Sequence, residues 1–381
     1  YVYSKNEMKL LHRYVLKETL LTTMLTLSVF VFILMAGNVI KDILGLLLSN
    51  VLPFGVFFKL MSLLIPYVMV YALPFALLTG VLLTLGRLSA SSEITAMKST
   101  GVSLFNITLP IFLLAIVSAD VSGFINFYYA PKARTEYKEM RNRVVLDNPL
   151  NFLQAKRFIN VFPNYSIYIG EKDGNELKDF WIWELDDQKR VKLFLRANEG
   201  SLIYNKKTQT LLLTLLDGTG EHRPDADPED LQDNTNPVVS FQKLPIELPL
   251  AHLLGKVKAR KKANMMTVNE LLDEIEREDL VEPMGEKSMK LRMQVHQNGA
   301  MAFASISFVL IAIPLAIRVG RKETMVNVVI ALLLAIVYYF IMNMASWLSQ
   351  YPHIRPDIIV WIPNVVYCII GLVMFRRVNR Y

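Results

Sequence analysis

The residues with the most chemistry in their spacing lie in one short stretch, Gly86 to Gly101 (GRLSASSEITAMKSTG). Serines stand where a helix needs an N-cap acceptor. Glu93 follows in the first turn, where the positive end of a helix dipole favours an acid. Lys98 falls in the last turn, and Gly101 can close the helix in a left-handed conformation. The pattern predicts a short helix over about 89–101. Elsewhere the chemistry is sparse. There is no G-x-x-x-x-G-K-[ST] phosphate loop, no G-x-S-x-G and no H-E-x-x-H. The five histidines are scattered, and the one cysteine, Cys368, lies in an apolar run, so neither an internal disulfide nor a cysteine-based zinc site is available. Residues 221–236 carry His222, Asp225, Asp227, Glu229 and Asp230, but without the spacing and central glycine of a calcium loop they read as a solvated acidic loop. No metal, no cofactor and no enzymatic activity are expected, and no ATP site.

The elements that hold this stretch are apolar. The chain is 53 % hydrophobic with a net charge of +7 and a mean hydropathy of +0.33. Two regions, 20–130 and 296–375, are largely apolar, and 131–295 holds most of the acids. A spanning helix needs about 20 apolar residues, and six segments qualify: 20–40, 61–86, 104–130, 296–317, 325–347 and 357–375. The first is too long for a signal-peptide core and lacks a small-residue cleavage site, so it reads as a retained span. Lys and Arg set orientation. Twelve of them fall on one side, in the N-terminal segment, the 2–3 and 4–5 links and the C-terminal tail, against Lys41, Lys59 and Arg355 on the other. Both termini should therefore be cytoplasmic and the insert external. Trp347, Tyr351, Trp361, Tyr128 and Tyr129 suit an aromatic belt at the outer ends. The basic balance thus answers to membrane topology and not to nucleic acid.

The insert, 131–295, opens with a charged helical stretch, Pro131–Val145, continuing from span three. Strand-like runs follow at 158–162, 165–171, 178–186, 190–198, 201–206, 209–216 and 237–243, parted by turn signals at Asp173-Gly174-Asn175, Asp186-Asp187, Asn205-Lys206 and Asp217-Gly218. They suggest an antiparallel sandwich or jelly roll. Thr267-Val268-Asn269-Glu270 has capping-box spacing and opens a helix to about Glu278. A second helix from about Gly285 leads into span four. The basic run Lys256–Lys262 lies before them, as a solvated linker or a contact for anionic head groups. The fold class is an α-helical membrane protein with six transmembrane helices and an inserted all-β, jelly-roll-like domain. The domains are 1–130, 131–295 and 296–381.

A short helix between spans two and three allows two readings. It merely connects the spans along the membrane face, or it docks on a nucleotide-binding subunit, as the coupling helix of an ABC permease does. An ion-driven secondary transporter would show mid-span charges and internal repeats, and neither is evident. A membrane-anchored scaffold with an external binding domain would need no such helix.

Several stretches resemble the LptF/LptG permease family of the lipopolysaccharide-exporting ABC transporter. They are His12-Arg13-Tyr14-Val15-Leu16-Lys17-Glu18-Thr19-Leu20, Leu83-Thr84-Leu85-Gly86-Arg87-Leu88 with Ser92-Glu93-Ile94-Thr95-Ala96-Met97-Lys98-Ser99-Thr100-Gly101, and Trp361-Ile362-Pro363-Asn364. The six spans and the insert match along the whole chain, and the N-terminal stretch is more like LptF than LptG. The resemblance implies an inner-membrane subunit with a periplasmic insert, paired with a second LptF/LptG-type chain above an LptB-like ATPase dimer. It implies bridge proteins of LptC-like and LptA-like type. It assigns Arg87, Ser92, Glu93, Met97 and Gly101 to ATPase coupling, and spans one and five to lateral gates of a cavity that admits lipopolysaccharide. Basic residues near the outer boundary would meet lipid A phosphates. Lys41 is the first candidate and Lys59, Lys132 and Arg134 the next, each with snorkelling to head groups as the alternative. Asp120, about 16 residues into span three and hence about 24 Å deep, should face protein or a cavity.

Overall fold

A computed structural model describes residues 5–42, 53–147, 155–156, 158–159, 164–173, 176–186, 188, 190–205, 210–223, 238–249, 261–319 and 324–380. The chain forms two compact units. One comprises Tyr1–Val39, Met61–Tyr137 and Lys261–Tyr381; the other comprises Ile40–Leu60 and Lys138–Arg260.

The first unit is helical. Its elements are α1 (Lys5–Asp42), α2 (Phe54–Ala90), α3 (Glu93–Ser99), α4 (Leu104–Phe124), a π-helical turn (Ile125–Tyr129), α5 (Ala130–Asp147), α6 (Val268–Val281), α7 (Glu286–Val319), α8 (Thr324–Trp347), α9 (Pro356–Ile359) and α10 (Ile362–Arg380). Among the described residues six helices are long and apolar enough to cross a membrane: Met8–Gly37, Phe54–Ala90, Leu104–Arg141, Glu286–Arg318, Val326–Gln350 and Pro356–Asn379. Pro66 and Pro74 lie within an unbroken α2, as membrane helices permit when neighbours satisfy the freed carbonyls.

α2 and α7 are the centre of this unit. Leu77, Leu78, Leu82 and Leu85 pack with Ile107 and Ile111 of α4, Phe308 and Ile311 of α7, Tyr338 of α8 and Tyr367 of α10. Of their most apolar stretches, 78 % of α2 and 67 % of α7 are buried, against 11 % of α1 and 22 % of α8. The same helices that the resemblance made gates are thus the ones this chain leaves most uncovered.

Among apolar chains, association rests on close packing and polar contacts, and both are visible. Asn364, 1 % exposed, accepts from Ser307 Oγ at 2.6 Å and Tyr338 Oη at 3.3 Å and donates to the Ala300 carbonyl at 3.0 Å. It thereby joins α7, α8 and α10. α1 is held by a seam of small residues: Thr19, Thr23 and Thr26 are buried, and Thr26 Oγ1 donates to the Ala76 carbonyl of α2 at 3.0 Å. Gly80 faces that seam, where a Cβ would stand 2.8 Å from Thr23 Cα. Thr267 and Glu270 form the expected capping box, and α6 runs three residues beyond the predicted end. At the α6–α7 corner Asp279 accepts from Ser288 Oγ and from Arg292 Nη2, each at 2.5 Å. The Ser288 bond first, with Arg292 and the Met284 N–H, holds its carboxyl below the usual carboxylate range against some desolvation.

The second unit carries six antiparallel strands in sequential order: β1 (Phe158–Ile159), β2 (Tyr165–Asp173), β3 (Glu176–Leu185), β4 (Val191–Asn205), β5 (Thr210–His222) and β6 (Val238–Pro249). Ile167, Ile169, Phe180, Ile182, Leu195, Leu213 and Leu215 line one face as its core. The other bears a half-buried aromatic ladder of Trp181, Trp183 and Phe194, with ring centroids 5.5–6.0 Å apart.

Two of the seven expected runs are one strand. Glu199-Gly200 does not break β4, because Gly200 lets the Phe180 ring and the Thr214 carbonyl approach within about 3 Å of where a Cβ would be. Asp217-Gly218 is likewise no turn. Leu216 and Gly218 pair in one unbroken register with β4 and β6 on either side of Asp217, which has φ +47°, so β5 continues straight through the expected turn. The alternation reverses across Asp217: Leu211, Leu213 and Leu215 are buried before it and Gly220 after it. β6 passes through Pro245 and Pro249, tolerable because it is an edge strand. Most of the acidic stretch (224–236) and Lys256–Arg260 of the basic run lie outside the described residues.

Candidate functional site

Two places in the helical unit gather polar side chains. The first is α3, Glu93–Ser99, the expected short helix. It is shorter than 89–101. Ser89 and Ala90 still belong to α2, where Ser89 Oγ donates to the Ile317 carbonyl of α7 at 3.0 Å. Ser92 occupies the N-cap position but has φ +62° and makes no side-chain cap bond. A left-handed cap residue cannot aim its hydroxyl at the helix N–H groups in the usual way. Ser91 Oγ instead donates to Glu93 Oε1 at 2.8 Å. The C-terminal end is as expected: Gly101 has φ +91° and its N–H returns to the Lys98 carbonyl at 2.9 Å.

α3 is tied to three spans. Ile94 is 2 % exposed and sits in the helical core, with Met97 packed against it. Glu93 Oε2 accepts from Tyr14 Oη of α1 at 2.9 Å. Lys98 Nζ donates to the Val378 carbonyl of α10 at 3.3 Å. Arg87, one turn before the end of α2, pairs with Glu18 of α1. Thr95, Ala96 and Ser99 remain exposed. The geometry gives a small lever with an apolar root and a polar outer edge.

The second place is a cavity of about 240 Å³ lined by α2, the π-helical turn, α5, α7 and α8. Its walls are polar amides and phenols: Tyr67 and Tyr71, Gln294 and Asn298, Tyr339 and Asn343. The rings of Tyr71 and Tyr339 meet edge to face at 5.6 Å. Gln294 Nε2 donates to Asn298 Oδ1 at 2.9 Å, and Asn298 Nδ2 to the Asn126 carbonyl at 3.2 Å. The one charged residue lining it is Arg134. Its guanidinium lies 4.2 Å over the Tyr67 ring and donates to the Asn264 carbonyl at 3.1 Å. Its Nε is buried and has no hydrogen-bond partner among the described residues. With Arg134 and no carboxylate among the described lining residues, the cavity favours an anionic oxygen. One buried water needs only about 10–15 Å³ of such space, so there is room for several waters or a phosphate-bearing fragment.

Of the basic candidates whose side chains are described, Arg134 alone lines the cavity. Lys132, two residues earlier, turns to Tyr128: its Nζ is 2.6 Å from the hydroxyl and 3.9 Å from the ring centre. Lys59 is exposed near the start of α2. Lys41 falls within α1, with its side chain outside the described residues. Asp120 is exposed on α4 and makes no ion pair among the described residues. Sequence reasoning passed over Tyr67, Tyr71, Tyr339 and the α7 amides. Their 3–4-residue spacing on apolar helices (Tyr67 with Tyr71, Gln294 with Asn298) was the available signal, and each alone reads as helix packing.

The family described as "Lipopolysaccharide export system permease LptF/LptG" matches residues 13–377. The chain is also similar to the lipopolysaccharide export system permease protein LptF of Escherichia coli K12, 19 % identical over 363 residues, which is 95 % of this chain and 93 % of that protein. The LptF protein of Shigella flexneri matches with the same identity and coverage.

Proposed function

Because this chain belongs to the LptF/LptG family of lipopolysaccharide export permeases, we propose that it is the LptF-type subunit of an ABC transporter that draws lipopolysaccharide from the inner membrane. It is a multi-pass inner-membrane protein, a transport subunit and not an enzyme. In this reading both termini face the cytoplasm, the inserted sheet faces the periplasm, and a separate ATPase dimer binds α3.

The observation that carries the reading is how α3 is rooted. Ile94 sits in the core, Glu93 holds Tyr14 of α1 and Lys98 holds the end of α10. A push on the exposed edge of α3 therefore reaches α1 directly. α1 touches the rest of the chain mainly through one seam and can move without opening the α2–α7 core. A second permease chain would cover the exposed faces of α1 and α8, and the space between the chains would hold the acyl chains. Arg134 would receive an acidic group of the substrate headgroup at the upper wall. Lipopolysaccharide would then pass to the inserted domain and on to LptC-like and LptA-like bridge proteins.

The test is co-purification of the membrane complex with its soluble ATPase. Glu93→Lys should release the ATPase while the permease chains stay together. Tyr14→Phe should keep the ATPase bound but lower substrate-stimulated turnover, because Glu93 survives and its link to α1 does not. A Glu93→Lys complex with its ATPase retained and turnover undiminished would refute the role given to α3.

A further inference from the structure

Beside α3, the last turns of α2, α7 and α10 converge on an open groove of about 1010 Å³. Three cations from three elements line it: Lys98 of α3, Arg318 of α7 and Arg377 of α10. Ile94, Ile317 and Met374 form apolar wall between them. Among the described residues no carboxylate lines the groove and none of the three cations is in an ion pair. Lys98 meets a backbone carbonyl, that of Val378.

Some of this charge answers the helix ends. Each helix C-terminus carries roughly half a negative charge. Three such ends against three full cations leave an excess on the order of +1.5. The groove also sits where spanning helices end, which is headgroup depth in a bilayer. A small anion from solution would gain nothing from Ile317 and Met374. A ligand with a phosphate at one end and hydrocarbon at the other uses both parts of the wall.

We propose that this groove is a binding site for an anionic phospholipid of the leaflet on the α3 side, its phosphate between Arg318 and Arg377 and its first acyl carbons against Ile317 and Met374. Such a lipid bridges α7 and α10 immediately behind α3 and stiffens the mounting of the lever. The inference needs only that these helix ends reach a membrane surface, so it can fail while the export function holds, and the reverse.

The test is native mass spectrometry of the full-chain complex released from detergent with equal amounts of phosphatidylglycerol and phosphatidylcholine. Phosphatidylglycerol should be retained preferentially. Each arginine near a lipid surface contributes about five-fold, so Arg318→Gln with Arg377→Gln should weaken retention about 30-fold, and the double Lys variant should restore most of it. Should the double Gln variant fail to assemble, Arg377→Gln alone should show the five-fold loss, since Arg377 is exposed. Equal retention of the two lipids, or of phosphatidylglycerol by wild type and variants, would overturn the proposal. So would displacement by millimolar inorganic phosphate, which marks a soluble-anion site. Capture of a partner protein by a photo-crosslinker at position 377 in phosphatidylglycerol vesicles would also overturn it.

Discussion

Substituting Gly80 by alanine adds a single methyl group where the backbone of α1 at Thr23 packs against α2. The new Cβ would stand 2.3 Å from Thr23 Oγ1, 2.8 Å from Thr23 Cα and 3.0 Å from Thr23 N. The hydroxyl can rotate away, but the backbone atoms cannot. Carbon atoms settle at about 3.5–4.0 Å, so α1 must back off by about 1 Å. Overpacking of this kind costs about 1–3 kcal/mol. The retreat also lengthens the Thr26–Ala76 bond of 3.0 Å, worth about 0.6 kcal/mol between membrane helices. α1 stays helical in the bilayer when its packing is lost, so alanine recovers little backbone entropy in return. The net loss is about 2 kcal/mol, or about 5 °C in an apparent melting midpoint. Gly37→Ala is the control, because nothing lies within 4 Å of its added Cβ. The assay is heating of the detergent-solubilised chain at one fixed rate, with the folded fraction read by fluorescence-detected size exclusion. A midpoint for Gly80→Ala equal to that of wild type or of Gly37→Ala would refute the claim that this seam holds α1.

Four more outcomes are expected. Arg134→Gln should lower lipopolysaccharide co-purified with the complex about ten-fold, as loss of a charge-assisted contact, whereas Lys132→Gln should change it less than about two-fold because Lys132 is engaged with Tyr128. Asn364→Leu should lower the melting midpoint, at a cost of about 1–2 kcal/mol, since three hydrogen bonds joining α7, α8 and α10 are lost together. Gly218→Val should destabilise the sheet, because its Cβ would stand 2.6 Å from the Arg196 carbonyl; proteolysis of the inserted domain reads this, and Asp217→Gly, at φ +47°, should be neutral or better. Asp279 has a depressed carboxyl, so its stabilisation is present above the unfolded value of about 3.9 and is lost as pH falls through the folded value; the midpoint gap between wild type and Asp279→Asn should therefore be full at pH 6 and close in strong acid.

Much of the protein is written locally. Twenty-odd apolar residues in a row can only be spans, so six helices and an inserted β domain follow from the sequence. So does the left-handed glycine that ends α3, because the residue types at 98–101 admit few other conformations. The capping box at Thr267 is equally local. The residues carrying the family resemblance include Glu18, Arg87, Glu93 and Asn364, but their tasks were not legible. Glu18 and Arg87 are 69 positions apart and find each other only when α1 lies on α2. Asn364 could have been one more polar residue at a helix start, and it proved to be the joint of three helices. Glycine misled in the sheet, since Gly200 falls in a gap between two strand-like runs and Asp217-Gly218 reads as a turn until cross-strand neighbours show why a Cβ is excluded at both glycines. The polar cavity is the clearest case. It is assembled from five helical elements together with Asn264, and no single stretch carries its pattern. Sequence determines which segments enter the bilayer, because hydropathy is a sum over neighbours in the chain. Only the tertiary structure decides that Arg134 faces amides and phenols while Lys132 faces Tyr128, because two residues along a helix is a turn of about 200°, and what lies there depends on how the helices pack.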